Sequence, residues 1–289
     1  MIKLNLAKLE PLLERALEED IGQGDVTTEA IIPERIKVKG KIKAKARGIV
    51  AGLHVAELVF KMVDKRIKFV PKKKDGSKVL KGSILAEVSG PAHGILRAER
   101  VALNFLQHLS GIATVTSEFV NRVKWLPVKI MDTRKTTPGF RELEKYAVKL
   151  GGGYNHRTGL YDGVIIKDNH LVIIPNIKKA VAEARRKSPP AMQIEVEANS
   201  LAKVRDAIEA GANVIMLDNM NIITLTAAVR MVQRHNKKIG LKQAYIRTEA
   251  SGGVTLKNVR RIARTGVDAI SIGALTHSPR ALDISLEIY

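Results

Sequence analysis

The stretch MDTRKTTPGFRELEKYAVKLGGGYNHRTGLYDGVIIKDNH, residues 131–170, places basic side chains beside two short apolar runs. These runs cover residues 128–131 and 164–166, and turn-forming residues surround them. Loops at strand ends carry chemistry, whereas strand interiors carry packing. Basic residues at such positions predict an anion site, although a solvated basic surface is the ordinary alternative. The residues concerned are Arg134, Lys135, His156, Arg157 and Lys167.

From residue 128 onward, an apolar strand, a polar loop and a helix alternate repeatedly. Continuous apolar runs separated by helices are typical of parallel strands that helices cover. Repetition of this kind indicates either a barrel or an open doubly wound sheet. The predicted strands are 128–132, 163–167, 192–197, 213–218, 244–249 and 268–273.

The residues at the carboxyl ends of these strands favour the barrel. Closing the sheet would gather them on one face, where barrel enzymes hold their active sites. Any one of them is equally consistent with a cap on the following helix, but the whole set is harder to explain in that way. The residues are Asp132, Lys167, Glu197, Asp218, Glu249 and Gly273.

A smaller domain is predicted before the barrel. In its basic strand, lysines alternate with apolar residues, which indicates a half-buried strand with a solvated face rather than a polyanion site. The last helix of this domain is expected to stop at Gly111. The predicted elements are a helix over 4–19, strand 37–47, helix 54–64, strands 66–70 and 83–88, and helix 95–111.

Composition narrows the class of protein. The chain has 289 residues with 45% apolar content, enough for a folded core. Its start predicts an amphipathic helix rather than a signal or transit peptide, and no run is apolar enough to span a bilayer, so a cytoplasmic protein is expected. The absence of cysteine excludes disulfides, thiolate metal sites and cysteine nucleophiles.

The net charge of +20 favours acidic ligands, and it raises the question of nucleic acid. The basic residues are dispersed, aromatic residues make up only 4% of the chain, and no nucleic-acid motif stands out. Specific nucleic-acid binding is therefore not expected.

Two glycine-rich loops add a phosphate signal. EASGGV follows the fifth predicted strand and SIGALTHS follows the sixth. Phosphate sites in barrels favour the final loops, where backbone N–H groups can point at an oxyanion. Together with the carboxylates of Glu197 and Asp218 and the basic residues, these loops predict a phosphosugar substrate and a second, acidic substrate.

The same motifs carry a resemblance to a known family. The stretch at 131–170, followed by EVEANSL, IMLDNM, EASGGV and SIGALTHS, resembles the quinolinate phosphoribosyltransferases. The likeness extends upstream through EDIGQGDVTT and AERVALNFLQHLSGIAT, so it covers nearly the whole chain.

The resemblance implies an α/β fold, an incomplete six-stranded parallel α/β barrel plus an N-terminal α+β open-faced sandwich domain. On this chain the sandwich domain is expected over residues 1–110 and the barrel over 111–275. The C-terminal segment 276–289 is expected to pack back on the first domain.

The resemblance also implies roles for individual residues. Lys135, Glu197 and Asp218 are expected to be catalytic, and Arg100 is expected to reach into the site of a partner subunit in a homodimer, with higher assembly left open. Magnesium is expected to enter with the diphosphate of the substrate, without a dedicated protein site. The substrate pocket is expected to include Thr133, Arg134, Lys135, His156, Arg157, Lys167, Glu197 and Asp218, and the phosphate site Ser251, Gly252, Gly253, Ile272, Gly273 and Ala274.

The implied reaction joins quinolinate to the phosphoribosyl group of 5-phosphoribosyl 1-diphosphate, with release of diphosphate and carbon dioxide. Three alternatives remain open: a nicotinate phosphoribosyltransferase that does not decarboxylate, a paralogue associated with molybdenum transport, and a basic nucleic-acid-binding protein. The number of cations favours a dicarboxylate substrate, because a monocarboxylate would leave buried positive charge uncompensated.

Overall fold

The computed structural model describes residues 4–240 and 245–289. The chain divides into two compact units. The first contains residues up to 117, 136–152 and 274–289, and the second contains 118–135 and 153–273. Residues 136–152, which the sequence pattern placed in the barrel domain, therefore group with the first unit. Among the described residues, no helix has both the length and the apolar character of a membrane span.

The elements have the following bounds. The helices are α1 Leu6–Ile21, α2 Val26–Ile31, α3 Leu53–Val63, α4 Ala92–Val123, α5 Arg141–Leu150, α6 Asp168–Ile173, α7 Ile177–Lys187, α8 Leu201–Glu209, α9 Ile222–Ile239, α10 Val259–Ala263 and α11 Ala274–His277. The strands are β1 Lys37–Ala44, β2 Gly48–Ile49, β3 Lys68–Pro71, β4 Lys78–Val79, β5 Ile84–Pro91, β6 Lys129–Met131, β7 Val164–Ile166, β8 Ile194–Ala198, β9 Val214–Asp218, β10 Arg247–Ser251, β11 Ala269–Ser271 and β12 Ile284–Ile288.

The first unit is built on an antiparallel sheet with strand order β12-β1-β5-β3. Strand β12, near the end of the chain, pairs with β1 from Gly40 opposite Ile288 to Ala44 opposite Ile284. On β1 the side chains of Ile42 and Ala44 are buried, while those of Lys41 and Lys43 face the other side. Hydrogen bonds from Lys43 and Lys45 lower the pKa of Glu287 on β12 to about 2, so part of the basic face is neutralised within the sheet.

Helix α4 does not stop at Gly111 as predicted but continues to Val123. A Cβ at Gly111 would lie 2.3 Å from the carbonyl oxygen of Arg280. Glycine is present because the C-terminal segment passes against the helix at this point, and a side chain would collide with backbone. A helix-interior glycine that permits close approach has the same sequence signature as a C-cap.

The second unit contains a parallel sheet with strand order β6-β11-β10-β9-β8-β7. Neighbouring strands are in parallel register, for example Glu249 opposite Met216 and Ala250 opposite Ile270. Strands β6 and β7 form the two edges, and no ladder joins them within residues 4–240 and 245–289. Tyr154 makes an isolated parallel bridge to Met131 on the open side. The parallel six-stranded sheet confirms the predicted open architecture.

The sheet curls around an interior cavity of about 710 Å³. All six strands contribute lining residues, which a flat sheet would not allow. Its polar lining comes largely from the amino-terminal ends of the strands and from the segment before β7, and includes Lys129, His156, Arg157, Gln193, Glu195, Arg247, Glu249 and Asp268.

Candidate functional site

Three charged residues interact electrostatically near the carboxyl ends of the strands. They are Glu197 on β8, Asp218 at the end of β9 and Lys167 directly after β7. Burial raises the pKa of Glu197, the charge of Asp218 raises it further, and Lys167 opposes the shift. Glu197 and Asp218 are both half-buried, whereas Lys167 is exposed. The sequence predicted that these three residues meet, because parallel strands end on the same side. Two adjacent carboxylates with partial access to solvent also fit a hard divalent cation such as magnesium.

Asn219 is a site residue that the sequence did not single out. It has a left-handed backbone conformation with φ 52°, and its N–H donates to the carbonyl oxygen of Ser251 at 2.9 Å. Its side-chain Nδ2 donates to Oδ2 of Asp218 at 3.0 Å. Asn219 therefore joins the ends of two strands and orients the carboxylate. An asparagine directly after a strand was the available signal, since asparagine tolerates this conformation better than most residues.

The glycine-rich loop after β10 requires its glycines. Gly252 and Gly253 have φ values of +90° and +60°, and a Cβ at Gly252 would lie 2.1 Å from Oδ1 of Asn219. Asn258 closes the loop, because its Nδ2 donates to the carbonyl oxygen of Gly253 at 2.9 Å. Ser251, the last residue of β10, is half-buried. The loop thus holds backbone in a conformation that only glycine adopts without strain.

The predicted phosphate residues after β11 differ from the loop after β10, because one of them uses its backbone N–H within the sheet. The backbone N–H of Ile272 donates to the carbonyl oxygen of Met131 at 2.9 Å, so it is engaged in the sheet. Gly273 is half-buried at the end of the second unit, and Ala274 begins α11, which belongs to the first unit. Of the predicted phosphate residues in the second unit, Gly252 and Gly253 have the more exposed backbone.

Two guanidinium groups come together in the second unit. Burial and then the positive charge of Arg134 lower the pKa of Arg157. Arg157 donates from Nη1 to the carbonyl oxygen of Gly163 at 2.6 Å, while its buried Nε has no hydrogen-bond partner within the described chain. Two like charges that are partly removed from water are costly unless an anion joins them. The pair is therefore suited to a carboxylate ligand.

The remaining predicted pocket residues lie in the turn after β6 and on the first unit. Lys135 is exposed, and its backbone N–H donates to Oγ1 of the half-buried Thr133 at 3.0 Å. Arg100 is exposed on α4.

His156 is held by buried groups in the barrel interior. Its Nε2 lies 3.2 Å from Oε2 of Glu195 and 3.5 Å from Oε2 of Glu249. Its backbone N–H donates to Asp132 at 2.8 Å, and its Nδ1 accepts the N–H of Arg157 at 2.8 Å. Burial favours the neutral ring, and the carboxylates of Glu195 and Glu249 hold its proton on Nε2.

One expectation about strand ends was wrong. Strand β10 extends to Ser251, so Glu249 lies in the middle of the strand and is buried instead of ending it. The predicted start of that strand, residue 244, is outside the described residues. Asp132 directly follows β6, as predicted, and it is fully buried, where it accepts the backbone N–H of His156. Sequence periodicity did not predict that Glu249 and Asp132 are buried, because it assigns buried positions to apolar residues and charged residues are seldom buried.

The chain matches known proteins over nearly its whole length. Residues 25–110 match the quinolinate phosphoribosyl transferase N-terminal domain, and residues 112–287 match the C-terminal domain. A Bacillus subtilis protein named "Probable nicotinate-nucleotide pyrophosphorylase (carboxylating)" is 46% identical over 285 residues, which are 99% of this chain and 95% of that protein. Quinolinate phosphoribosyltransferase (decarboxylating) 1 of Nicotiana glauca is 43% identical, covering 97% of this chain and 82% of its own.

Solved structures show the same relationship. The crystal structure of NadC from Streptococcus pyogenes superposes with a TM-score of 0.92 at 38% identity, covering 100% of this chain and 99% of that one. The nicotinate-nucleotide pyrophosphorylase of Ehrlichia chaffeensis gives 0.91 at 39% identity, with 100% of both chains covered. With both domains matched along nearly its whole length, this chain belongs to the quinolinate phosphoribosyltransferase family.

Proposed function

We propose that this chain transfers the phosphoribosyl group of 5-phosphoribosyl 1-diphosphate to quinolinate with loss of carbon dioxide, giving nicotinate mononucleotide and diphosphate. The observation that carries the choice of acid is the proximity of Arg134 to the partly buried Arg157, since burial and then the charge of Arg134 lower the pKa of Arg157. A dicarboxylate relieves this repulsion more completely than a monocarboxylate does. The names of the relatives, which include quinolinate phosphoribosyltransferase (decarboxylating), support the same substrate.

The proposed mechanism begins with the positioning of both substrates. Arg134 and Arg157 hold the carboxylates of quinolinate, with Lys135 and Lys167 adding positive charge at the exposed side. The loop at Gly252 and Gly253 offers backbone N–H groups to the 5-phosphate. Quinolinate is thereby held with its ring nitrogen toward the anomeric carbon, which lowers the entropic part of the barrier.

Bond exchange at the anomeric carbon follows. The bond to the diphosphate oxygen breaks, positive charge develops on the ribose ring, and the pyridine nitrogen donates its electron pair to the anomeric carbon. Glu197 and Asp218 stabilise the positive charge, as carboxylates do in glycoside hydrolysis. These two residues would also hold magnesium, which when bound neutralises charge on the leaving diphosphate. When carbon dioxide departs, the C–C bonding pair stays on the ring carbon, where the positive charge of the adjacent pyridinium nitrogen stabilises it, and a proton from solvent then adds to that carbon.

The test of this proposal is product release by the purified chain with magnesium, 5-phosphoribosyl 1-diphosphate and either quinolinate or nicotinate. We expect equal amounts of carbon dioxide and diphosphate with quinolinate, and neither product with nicotinate. Diphosphate release with nicotinate and no carbon dioxide from either acid would identify a non-decarboxylating enzyme. Absence of product with both acids would refute the proposed reaction while leaving the family assignment intact.

We further propose that the active form is a homodimer in which Arg100 of each subunit completes the partner's site. Exposed apolar side chains in the second unit support an interface, since such groups are normally covered in a stable assembly. Leu160, Tyr161, Val172 and Ile173 are 74%, 76%, 81% and 80% exposed.

Mixed dimers provide the test of a shared site. Arg100→Ala and Asp218→Asn homodimers are each expected to be nearly inactive. Co-expression with two different tags gives heterodimers that contain one intact site, so an equal mixture should recover up to about a quarter of the wild-type activity per subunit. If Arg100 served its own subunit, no heterodimer site would be intact, and activity would not recover.

A further inference from the structure

The inference concerns the two carboxylates that surround His156 inside the barrel. Glu195 and Glu249 are only 6% and 3% exposed. Each has one oxygen, Oε1, that is buried and has no hydrogen-bond partner within the described residues. Barrel interiors are usually filled by apolar side chains, and an incompletely paired buried carboxylate is unfavourable. Two such residues therefore require an explanation beyond packing.

A metal ion is the first explanation to consider. Ligand atoms of His156, Glu195 and Glu249 lie within 4.8 Å of one another. A metal bound at Nε2 would require the proton of the neutral ring to be on Nδ1, which would then act as a donor. Here Nδ1 accepts the backbone N–H of Arg157 at 2.8 Å. This hydrogen bond places the ring proton on Nε2, where it faces the carboxylates, and so favours a proton over a metal ion.

The same hydrogen bonds determine what the ring can do. Nε2 faces Glu195 and Glu249, and Nδ1 accepts from Arg157, so both ring nitrogens are engaged with the protein. Direct binding of a substrate carboxylate by His156 would break one of these interactions. The ring is instead a link between two buried carboxylates and the backbone of Arg157.

We propose that Glu195 and Glu249 are positioning residues for quinolinate: they fix the ring of His156, which in turn fixes Arg157 beside Arg134. The chain of contacts runs from Glu249 and Glu195 to Nε2 of His156, from Nδ1 to the Arg157 N–H, and from the Arg157 side chain to Gly163. The inference rests on the proposed function, because it explains how the two arginines that bind the carboxylates of quinolinate are held in place.

The test uses Glu249→Gln, which removes the charge and keeps the size of the side chain. We expect the dissociation constant and the KM for quinolinate to rise about 10-fold, consistent with loss of one charge-assisted interaction. The KM for 5-phosphoribosyl 1-diphosphate should change less than about twofold, and the thermal midpoint should show that the variant is folded. Glu183→Gln, a change on α7 at a surface side chain that is 43% exposed, is the matched control. An unchanged quinolinate affinity in Glu249→Gln would overturn the proposal.

A double-mutant comparison separates positioning from a general structural effect. If Glu249 acts through the ring, adding Glu249→Gln to His156→Ala should leave quinolinate affinity the same as in His156→Ala alone. Additive losses would contradict the proposal. If Glu249→Gln does not fold, Glu195→Gln replaces it in the same scheme.

Calorimetric titration with quinolinate distinguishes failure of the proposed function from failure of the positioning role of Glu249. Failure of the wild-type chain to bind quinolinate would refute the proposed function, whereas equal binding by wild type and Glu249→Gln would refute only the positioning role.

Titration with Zn²⁺ alone tests the metal alternative. If the wild-type chain bound one equivalent of Zn²⁺ and Glu249→Gln abolished that binding, the assignment of a proton to Nε2 between His156 and the two carboxylates would be overturned.

Discussion

Asp218→Asn is expected to lower kcat by about 100- to 1000-fold, because it removes negative charge from the place where the ribose becomes positive in the transition state. The geometry should survive, since an amide oxygen at this position can still accept the hydrogen bond from Nδ2 of Asn219. The loss should therefore fall mainly on kcat, with smaller changes in KM for either substrate.

The measurement is the initial rate of diphosphate and carbon dioxide release at saturating substrates. Asp206→Asn, an exposed change on α8, is the matched control and should retain full activity. If Asp218→Asn retained kcat within about threefold of wild type, electrostatic stabilisation by this carboxylate would be excluded as a major contribution.

Arg134→Ala is expected to raise the KM for quinolinate by about 100-fold, which corresponds to the loss of about 2–3 kcal/mol from hydrogen bonds to a charged carboxylate. Arg134→Lys should give a smaller increase, because an ammonium group keeps the charge but cannot form the paired contact of a guanidinium. The KM for 5-phosphoribosyl 1-diphosphate should change little in both variants.

Steady-state kinetics with each substrate varied in turn provides the measurement for Arg134. Arg186→Ala is the control, since Arg186 is an exposed cation on α7 that forms a surface ion pair with Glu183. An equal rise in the KM of both substrates would indicate a distorted site instead of a lost carboxylate contact, and would contradict the assignment.

The parallel strands of the second unit could be located from sequence because each is a short apolar run between turn signals. Strand β9 was predicted over 213–218 and lies at Val214–Asp218, and β7 was predicted over 163–167 and lies at Val164–Ile166. Strand β10 was placed too early, because its Arg247–Ser251 segment contains charged and small residues that resemble a loop. The pairing of polar residues across the interior of the barrel is not visible in a local pattern.

In the first unit too, contacts between residues that are distant in the sequence decide features that local sequence patterns do not show. Helical periodicity predicted the helix that contains Gly111, but the approach of Arg280 decides why that position is glycine and why the helix continues. Residues 136–152 likewise lie between two barrel strands in the sequence and group with the first unit in space. Both facts depend on contacts between residues distant in the chain.

By itself, the sequence determined the α/β class, the parallel strands, and the residues that gather where β8 and β9 end, because strand direction and alternation follow from local hydrophobic pattern. It also determined that Arg134 and Arg157 belong to a basic site. Only the tertiary structure decided that His156 lies between Glu195 and Glu249, and that Asn219 orients Asp218. These contacts join separate strands, and the free energy of a buried charge depends on which groups the fold brings beside it.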